Sequence, residues 1–165
     1  KQRIDKQIIV GLHISYRAAT NDTALKLEKW ILEKCLGRQV SKCRFHYLKF
    51  ALPYGYDRLE QFGFTDDYSM AYSDMAGYRA GTSRSFTFYN IEKEKETKLT
   101  IHPLIVMDKT LRLDMKLDVE SAYKYIDSLK KECNAIGGDF TTLFHNQNVT
   151  DLNGWGEWGE RFFKK

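Results

Sequence analysis

Polar side chains suited to acid–base or metal chemistry follow three apolar runs of this sequence. His13 follows the run IIVGL, Asp108 follows LTIHPLIVM, and His145 with Asn146 follows FTTLF. An imidazole titrates near neutral pH and also binds metal ions. A single histidine at the end of a strand is more often a structural residue. A second histidine at an equivalent strand end makes a functional role for His145 as well supported as a structural one.

A second set of polar residues lies inside or just before apolar segments. Arg44 and His46 stand within CRFHYLKF, where two basic groups need an anionic partner unless they belong to a charged strand edge. Both are therefore candidate site residues, and His46 is a candidate for substrate binding. Asp66 and Asp67 follow a helix stop and are typical of a turn, and His102 precedes a proline and is interpreted as structural.

The stretch GYRAGTSRSFTFY, residues 77–89, is the most unusual part of the sequence. Arg79 and Arg84 offer guanidinium groups that match carboxylates or phosphates, and the aromatic residues offer flat faces for sugar rings. The alternative is an irregular surface loop held by an arginine–carboxylate pair. No GxSxG segment accompanies the serines, which argues against a Ser-His-Asp hydrolase, and no Cys/His cluster has the spacing of a structural zinc site.

The elements that must position these residues alternate between strands and helices. We predict strands over 8–13, 43–50, 67–72, 99–107 and 140–145. We predict helices over 21–37, 53–63, 118–137 and 154–163, with a long loop over 73–97. Alternation of this kind favours βαβ units and a parallel sheet, in which ligands bind at the carboxyl ends of the strands. The expected fold class is therefore α/β, as a single domain spanning 1–165.

Composition narrows the classes of function. The hydrophobic fraction of 42% supports a packed core, and the net charge of +4 is spread along the chain, unlike the basic stripe of a nucleic-acid binder. No apolar run is long enough to span a membrane. The three cysteines lack a paired spacing, so we expect a reducing compartment and a cytoplasmic protein.

Four segments together resemble a known family. GLHISYRA (11–18), residues 43–91, HPLIVMDKTL (102–111) and GGDFTTLFHN (137–146) resemble, in this order, the polysaccharide deacetylase-like proteins of bacterial polysaccharide loci. These proteins are members of the NodB-homology group of carbohydrate esterases. The resemblance implies a partial or distorted (β/α) barrel whose first strands, including an Asp-rich motif, are missing from this chain.

The resemblance also implies roles for individual residues. His13 matches the metal-binding histidine motif, although Ile14 replaces its proline and Arg17 stands where a second histidine would fall. Arg44 matches the arginine that orients the catalytic carboxylate, and His145 matches the histidine that acts as general acid. The substrate-binding candidates are Arg79, Arg84, His46, Asp108 and Asn146.

The resemblance thus implies a metal-dependent hydrolase of carbon–nitrogen bonds that deacetylates an N-acetylated carbohydrate. Zn²⁺ or a similar divalent ion would polarise the amide carbonyl and activate water. The alternative is a catalytically inactive relative that binds a glycan or a partner protein. We expect a carbohydrate substrate and neither nucleic-acid nor membrane partners.

Overall fold

A computed structural model describes residues 8–150 and 154–163 of the chain, without the side chains of Val149, Phe162 and Phe163. These residues form two compact units. The first unit contains the residues up to Met70 together with Ser85–His102, and the second contains Ala71–Arg84 together with the residues from Pro103 onward.

The first unit is an α/β structure built on a mostly parallel sheet. Its strands are β1 (Leu12–Ile14), β2 (Lys42–Phe45), β3 (Asp66–Asp67), β4 (Phe86–Asn90) and β5 (Lys95–Ile101). Its helices are α1 (Asp22–Leu36), α2 (Tyr54–Gln61) and a 3-10 turn over His46–Leu48. The strand order is β1-β2-β3-β5-β4, and only β4 is antiparallel to its neighbour. The predicted α/β class is confirmed, but the described strands do not close into a barrel.

Helix α1 begins and ends where the sequence predicts. The Asn21 side chain accepts a hydrogen bond from the Ala24 N–H at 2.9 Å, and Gly37 ends the helix with a φ of 66°. The apolar side chains of α1 are not all covered, because Leu27 and Ile31 are exposed and Leu25 is the buried residue of this helix.

The predicted loop over 73–97 contains a β-hairpin instead. Strands β4 and β5 pair antiparallel, with Phe86 opposite Ile101 and Asn90 opposite Lys95. The period-2 alternation of FTFYN was the available signal, and the charged EKEKE segment forms the turn and the start of β5. Asn90 is buried at the end of β4 and donates to the Asp57 carboxylate at 2.7 Å.

All five predicted strands are shortened or divided in the structure, with 8–13 reduced to β1 and 140–145 reduced to Thr142–Leu143. β2 ends at Phe45, because Tyr47 and Leu48 adopt left-handed backbone angles with φ values of 57° and 51°. The predicted strand 67–72 is reduced to β3. The predicted strand 99–107 is divided around Pro103, which has no N–H to donate to a sheet ladder.

Stacked aromatic side chains fill much of the first unit's core. The Phe50 ring lies 5.7 Å from the Phe45 ring and 5.0 Å from the Tyr56 ring, and Tyr56 meets the Phe88 ring edge-on at 4.9 Å. Tyr56 and Phe45 are almost completely buried. This core holds the sheet against α2 and so fixes the ends of β2 and β3.

The second unit combines a two-stranded parallel sheet with helices. Its elements are β6 (Val106–Met107), a π-helical segment (Thr110–Asp114), α3 (Val119–Ala135), β7 (Thr142–Leu143), a 3-10 turn (Asn146–Val149) and α4 (Gly156–Phe163). Its core includes Trp155 and Trp158, whose rings are 5.5 Å apart. Asp118 caps α3 as predicted by accepting from the Ser121 N–H at 2.7 Å.

Candidate functional site

Two of the predicted site residues meet at the carboxyl ends of β6 and β7. The two strands are parallel, with Val106 opposite Thr142 and Met107 opposite Leu143. Asp108 comes directly after β6, and His145 follows β7 by two residues. The register therefore places the Asp108 carboxylate beside His145, with ring Nδ1 2.6 Å from Oδ1.

The Asp108 carboxylate is buried and accepts several hydrogen bonds. The backbone N–H of His145 donates at 2.9 Å, the Asn148 side-chain amide at 2.7 Å and the Lys109 N–H at 2.7 Å. Burial alone would raise the pKa of Asp108, but the hydrogen bonds from His145 and Asn148 outweigh it and lower that pKa below its usual value. Asp108 is therefore a buried anion that orients His145, a role that differs from the predicted substrate contact.

The His145 imidazole has the arrangement of an acid–base group. Asp108 accepts the hydrogen on Nδ1, so Nε2 is left to exchange a proton with another molecule. The side chain keeps 34% of its surface exposed, whereas that of Asp108 keeps 1%. A carboxylate behind an accessible imidazole fixes the tautomer and stabilises the imidazolium form.

His13, Arg44 and His46 lie together in the first unit. Parallel pairing of β1 with β2 places His13 opposite Arg44, and side chains at paired positions lie on the same face of the sheet. His46 starts the 3-10 turn after β2, outside the strand in which it was predicted, and its ring lies 4.9 Å from that of His13.

A cavity of about 350 Å³ opens beside His13 and Arg44. Lys42 and Tyr68 also line it. Lys42 pairs with Asp66 at 3.2 Å and lies 3.4 Å from the Tyr68 hydroxyl. Burial opposes the charge on Lys42, but these two contacts raise its pKa above the ordinary value. The cavity is therefore basic, and its volume suits a small molecule.

The predicted metal site is incomplete among the described residues. His13 and His46 bring two imidazoles together, but residues 8–150 and 154–163 contain no group of three His, Cys, Asp or Glu side chains able to hold an ion. A catalytic zinc site uses three protein ligands. These residues by themselves do not fit the predicted metal.

The remaining predicted residues lie in the second unit. Arg84 donates to the Ile136 carbonyl oxygen at 3.4 Å, at the end of α3, and Arg79 is exposed. Asn146 is exposed at the start of the 3-10 turn. The amide that supports Asp108 belongs to Asn148, which sequence reasoning missed because only the 3-10 turn carries that residue back to the carboxylate.

Comparisons of this chain with known protein families, curated proteins and solved structures identify no related protein. A scan against protein-family models, a search of curated proteins and a search of solved structures find no match for the chain. Along the described residues, every helix is too short or too polar to cross a bilayer. Functional inference therefore depends on the side chains themselves.

Exposed aromatic residues form a further feature of the first unit. Tyr16 and Tyr47 are 53% and 68% exposed, and their rings are 6.2 Å apart. The Lys49 ammonium lies 3.4 Å from the Tyr16 ring centroid, and the Tyr47 ring lies 4.3 Å from that of His46. Flat apolar faces beside polar groups are suited to packing against sugar rings. In the stretch 77–89, which was predicted to offer aromatic faces to sugar rings, Tyr78 instead packs against the second unit's core.

Proposed function

We propose that this protein hydrolyses a carbon–nitrogen bond in an N-acetylated carbohydrate, as a relative of the NodB-type polysaccharide deacetylases with their barrel-like fold. The single observation that carries the proposal is the contact of His145 with Asp108, in which a buried carboxylate holds an accessible imidazole. This contact supports the role of general acid that the family resemblance implies for His145.

The chemistry of amide hydrolysis requires such a group. An amine is a poor leaving group until its nitrogen is protonated, and an imidazole can deliver that proton near neutral pH. Asp108 supports the role because its contact with Nδ1 holds the ring in one orientation and one tautomer. Asn148 keeps the carboxylate in place by donating to Oδ2 at 2.7 Å.

The first unit supports the proposed carbohydrate substrate. The Tyr16 and Tyr47 faces would pack against sugar rings, and Arg44 and Lys42 in the neighbouring cavity would hold acidic or hydroxyl groups. A divalent ion such as Zn²⁺ would supply Lewis acidity in a deacetylase of this type, but His13 and His46 do not by themselves complete a ligand set for it among the described residues. The three cysteines are free, which agrees with the proposed cytoplasmic location.

A second candidate is a glycan-binding module without catalysis. The incomplete ligand set at His13 and His46 favours it, because the exposed tyrosines would still bind sugars without a metal. The same module would bind an N-acetylated oligosaccharide but release no acetate.

The test compares acetate release from N-acetylated oligosaccharides by the full-length protein and two variants. His145→Gln keeps hydrogen-bonding capacity but cannot carry a titratable proton, so we expect turnover to fall by ~10²-fold or more with little change in melting temperature. Asp118→Asn changes an ionisable side chain at the exposed cap of α3, to which no role in the reaction is assigned, and should leave amide hydrolysis intact. Normal turnover in His145→Gln would remove the catalytic proposal. Binding without any turnover in the unaltered protein would favour the glycan-binding module.

A further inference from the structure

A serine, a histidine and an aspartate form a hydrogen-bonded chain in the first unit. The Ser85 hydroxyl lies 2.9 Å from His102 Nδ1, and His102 Nε2 lies 2.8 Å from Asp66 Oδ1. The sequence argued against a Ser-His-Asp site because no GxSxG segment is present. That segment belongs to one fold, whereas the triad occurs on unrelated folds; here the two ring nitrogens exchange the roles that they have in the usual triad, so that Nδ1 faces the serine and Nε2 the carboxylate.

The sheet explains how residues so distant in sequence meet. Ser85 directly precedes β4 and His102 directly follows β5, and the strands between them pair Phe86 with Ile101. Asp66 lies opposite Thr100 in the parallel pair of β3 and β5. Side chains alternate along a strand, so His102 lies on the same face of the sheet as Thr100, two residues before it. Thr100 is paired with Asp66, which therefore places His102 beside Asp66.

The surroundings of Asp66 and His102 fix the direction of proton transfer. Burial alone would raise the pKa of Asp66, but hydrogen bonds from Thr65, His102 and Lys42 lower it, so the group is a carboxylate. The carboxylate accepts the hydrogen on Nε2 and leaves the lone pair of Nδ1 facing the serine hydroxyl. The Tyr68 ring stacks on the imidazole at 4.4 Å and 7°, which fixes the plane of the ring.

We propose that Ser85 is the nucleophile of a second hydrolytic site, with His102 as its general base and Asp66 as the residue that positions His102. Ser85 is exposed, so an external carbonyl group has access to its hydroxyl. The substrate class is a short-chain carboxylic ester, such as an O-acyl sugar. Lys42 and Tyr68 connect the site to the 350 Å³ cavity, since they line that cavity and contact Asp66 and His102.

The reaction balances without any further reactant except water. Ser85 Oγ attacks the ester carbonyl carbon while His102 Nδ1 takes the hydroxyl proton, and the same proton passes to the departing alkoxide to form an alcohol. Water then attacks the acyl-serine, with His102 again accepting and returning a proton. The products are a carboxylic acid and free Ser85.

A fluorophosphonate probe tests the nucleophile directly in the full-length protein. We expect one phosphonyl adduct by intact mass, mapped to Ser85 by peptide sequencing and absent from Ser85→Ala. Ser121 provides an internal control, because its hydroxyl contacts the Asp118 carboxylate at 3.2 Å and both groups lie at the exposed start of α3. Ser121 should stay unlabelled, as should Ser85 in heat-denatured protein.

Variants separate catalysis from a structural clamp. In His102→Gly, the fluorophosphonate should react with Ser85 at least ~10²-fold more slowly than in the unaltered protein. Added imidazole should restore part of this labelling rate, an effect that a structural role of His102 would not produce. Asp66→Asn should slow labelling and Asp66→Glu should recover part of the rate. A folded unaltered protein that leaves Ser85 unlabelled, or equal labelling rates in His102→Gly and the unaltered protein, would overturn the proposal.

The two proposed sites can fail independently. His145→Gln should keep Ser85 labelling and hydrolysis of 4-nitrophenyl acetate while losing amide hydrolysis. Ser85→Ala should show the reverse pattern. Loss of ester hydrolysis in His145→Gln together with normal activity in Ser85→Ala would assign both activities to His145 and reject the serine site.

Discussion

His145 contacts the Asp108 carboxylate through two of its own groups, the backbone N–H at 2.9 Å and ring Nδ1 at 2.6 Å. One contact fixes the position of the main chain after β7, and the other fixes the orientation of the ring. The Asp108 carboxylate therefore positions both the main chain after β7 and the His145 ring. A change at Asp108 should affect both the proposed chemistry and the local fold.

Asp108→Asn tests this dependence with almost no change in volume. The amide replaces one accepting oxygen with a donor that faces existing donors, and it removes the charge that stabilises the imidazolium. We expect turnover to fall by ~10²-fold or more and the free energy of unfolding to fall by about 1–3 kcal/mol. Acetate release and urea denaturation measure the two effects.

The matched control for Asp108→Asn is Asp118→Asn. It makes the same change at the cap of α3, where asparagine also caps well, so activity should be retained. Unchanged turnover in Asp108→Asn would contradict the proposed role of the aspartate.

The helix ends were predictable from sequence because their causes are local. Asn21 and Asp118 each cap a helix through a backbone N–H three residues later, and Gly37 ends α1 with a left-handed backbone. The buried face of α1 was not predictable in the same way. Leu27 is exposed because the tertiary arrangement, rather than helix periodicity, decides which side of an amphipathic helix is covered.

The candidate sites also combine features that the local sequence predicts with features that only the tertiary structure determines. Sequence reasoning found His145 and Asp108 as separate residues at strand ends, but their hydrogen bond depends on the register of β6 with β7. The Ser85–His102–Asp66 chain was missed because its serine lay in a predicted loop. Recognising the FTFYN alternation as a strand would have placed Ser85 at a strand end.

Zinc binding by a protein of this sequence should be weak. His13 and His46 supply two imidazoles where a catalytic zinc site uses three protein ligands, so we expect a dissociation constant in the micromolar range or weaker. Calorimetric titration with Zn²⁺ measures it, and His13→Ala and His46→Ala should each weaken binding further. Submicromolar affinity that depends on His13 would show that the ligand set is complete.

Arg58 on α2 should be important for the stability of the first unit. Its guanidinium donates to the Asp22 carboxylate at 2.6 Å, to the Ala18 carbonyl oxygen at 3.1 Å and to the Ala19 carbonyl oxygen. Arg58→Ala leaves these acceptors without the charged donor, and we expect a loss of about 2 kcal/mol in the free energy of unfolding.

Two further variants identify which contacts of Arg58 matter. Asp22→Asn removes only the exposed carboxylate, so its effect should be much smaller than that of Arg58→Ala. Arg58→Lys keeps the charge without the planar fork and should recover only part of the stability. Equal losses in Asp22→Asn and Arg58→Ala would mean that the carbonyl contacts contribute nothing.

Titration of Asp67 should make the free energy of unfolding depend on pH. Its side chain is completely buried and accepts hydrogen bonds from the Ser69 N–H at 2.9 Å, the Ser69 hydroxyl at 2.6 Å and the Tyr56 hydroxyl at 3.1 Å. Burial raises its pKa to about 6 even though these donors favour the anion. The folded protein therefore holds this proton more tightly than the unfolded chain, whose aspartates titrate near ~4.

The direction in which stability changes with pH follows from the number of protons that each state binds. Between pH 4 and 6 the folded state carries more protons at this site than the unfolded state, so stability falls as pH rises, by up to about 3 kcal/mol at pH 7. Asp67→Asn cannot titrate, so its unfolding free energy relative to the unaltered protein should increase steadily from pH 4 to pH 7. Asp66→Asn should show the opposite dependence at lower pH, because the pKa of Asp66 is lowered and its contribution is lost as pH falls below ~4. Urea denaturation at each pH gives both differences, and a difference for Asp67→Asn that stays constant with pH would mean that the carboxyl has an ordinary pKa in the folded protein.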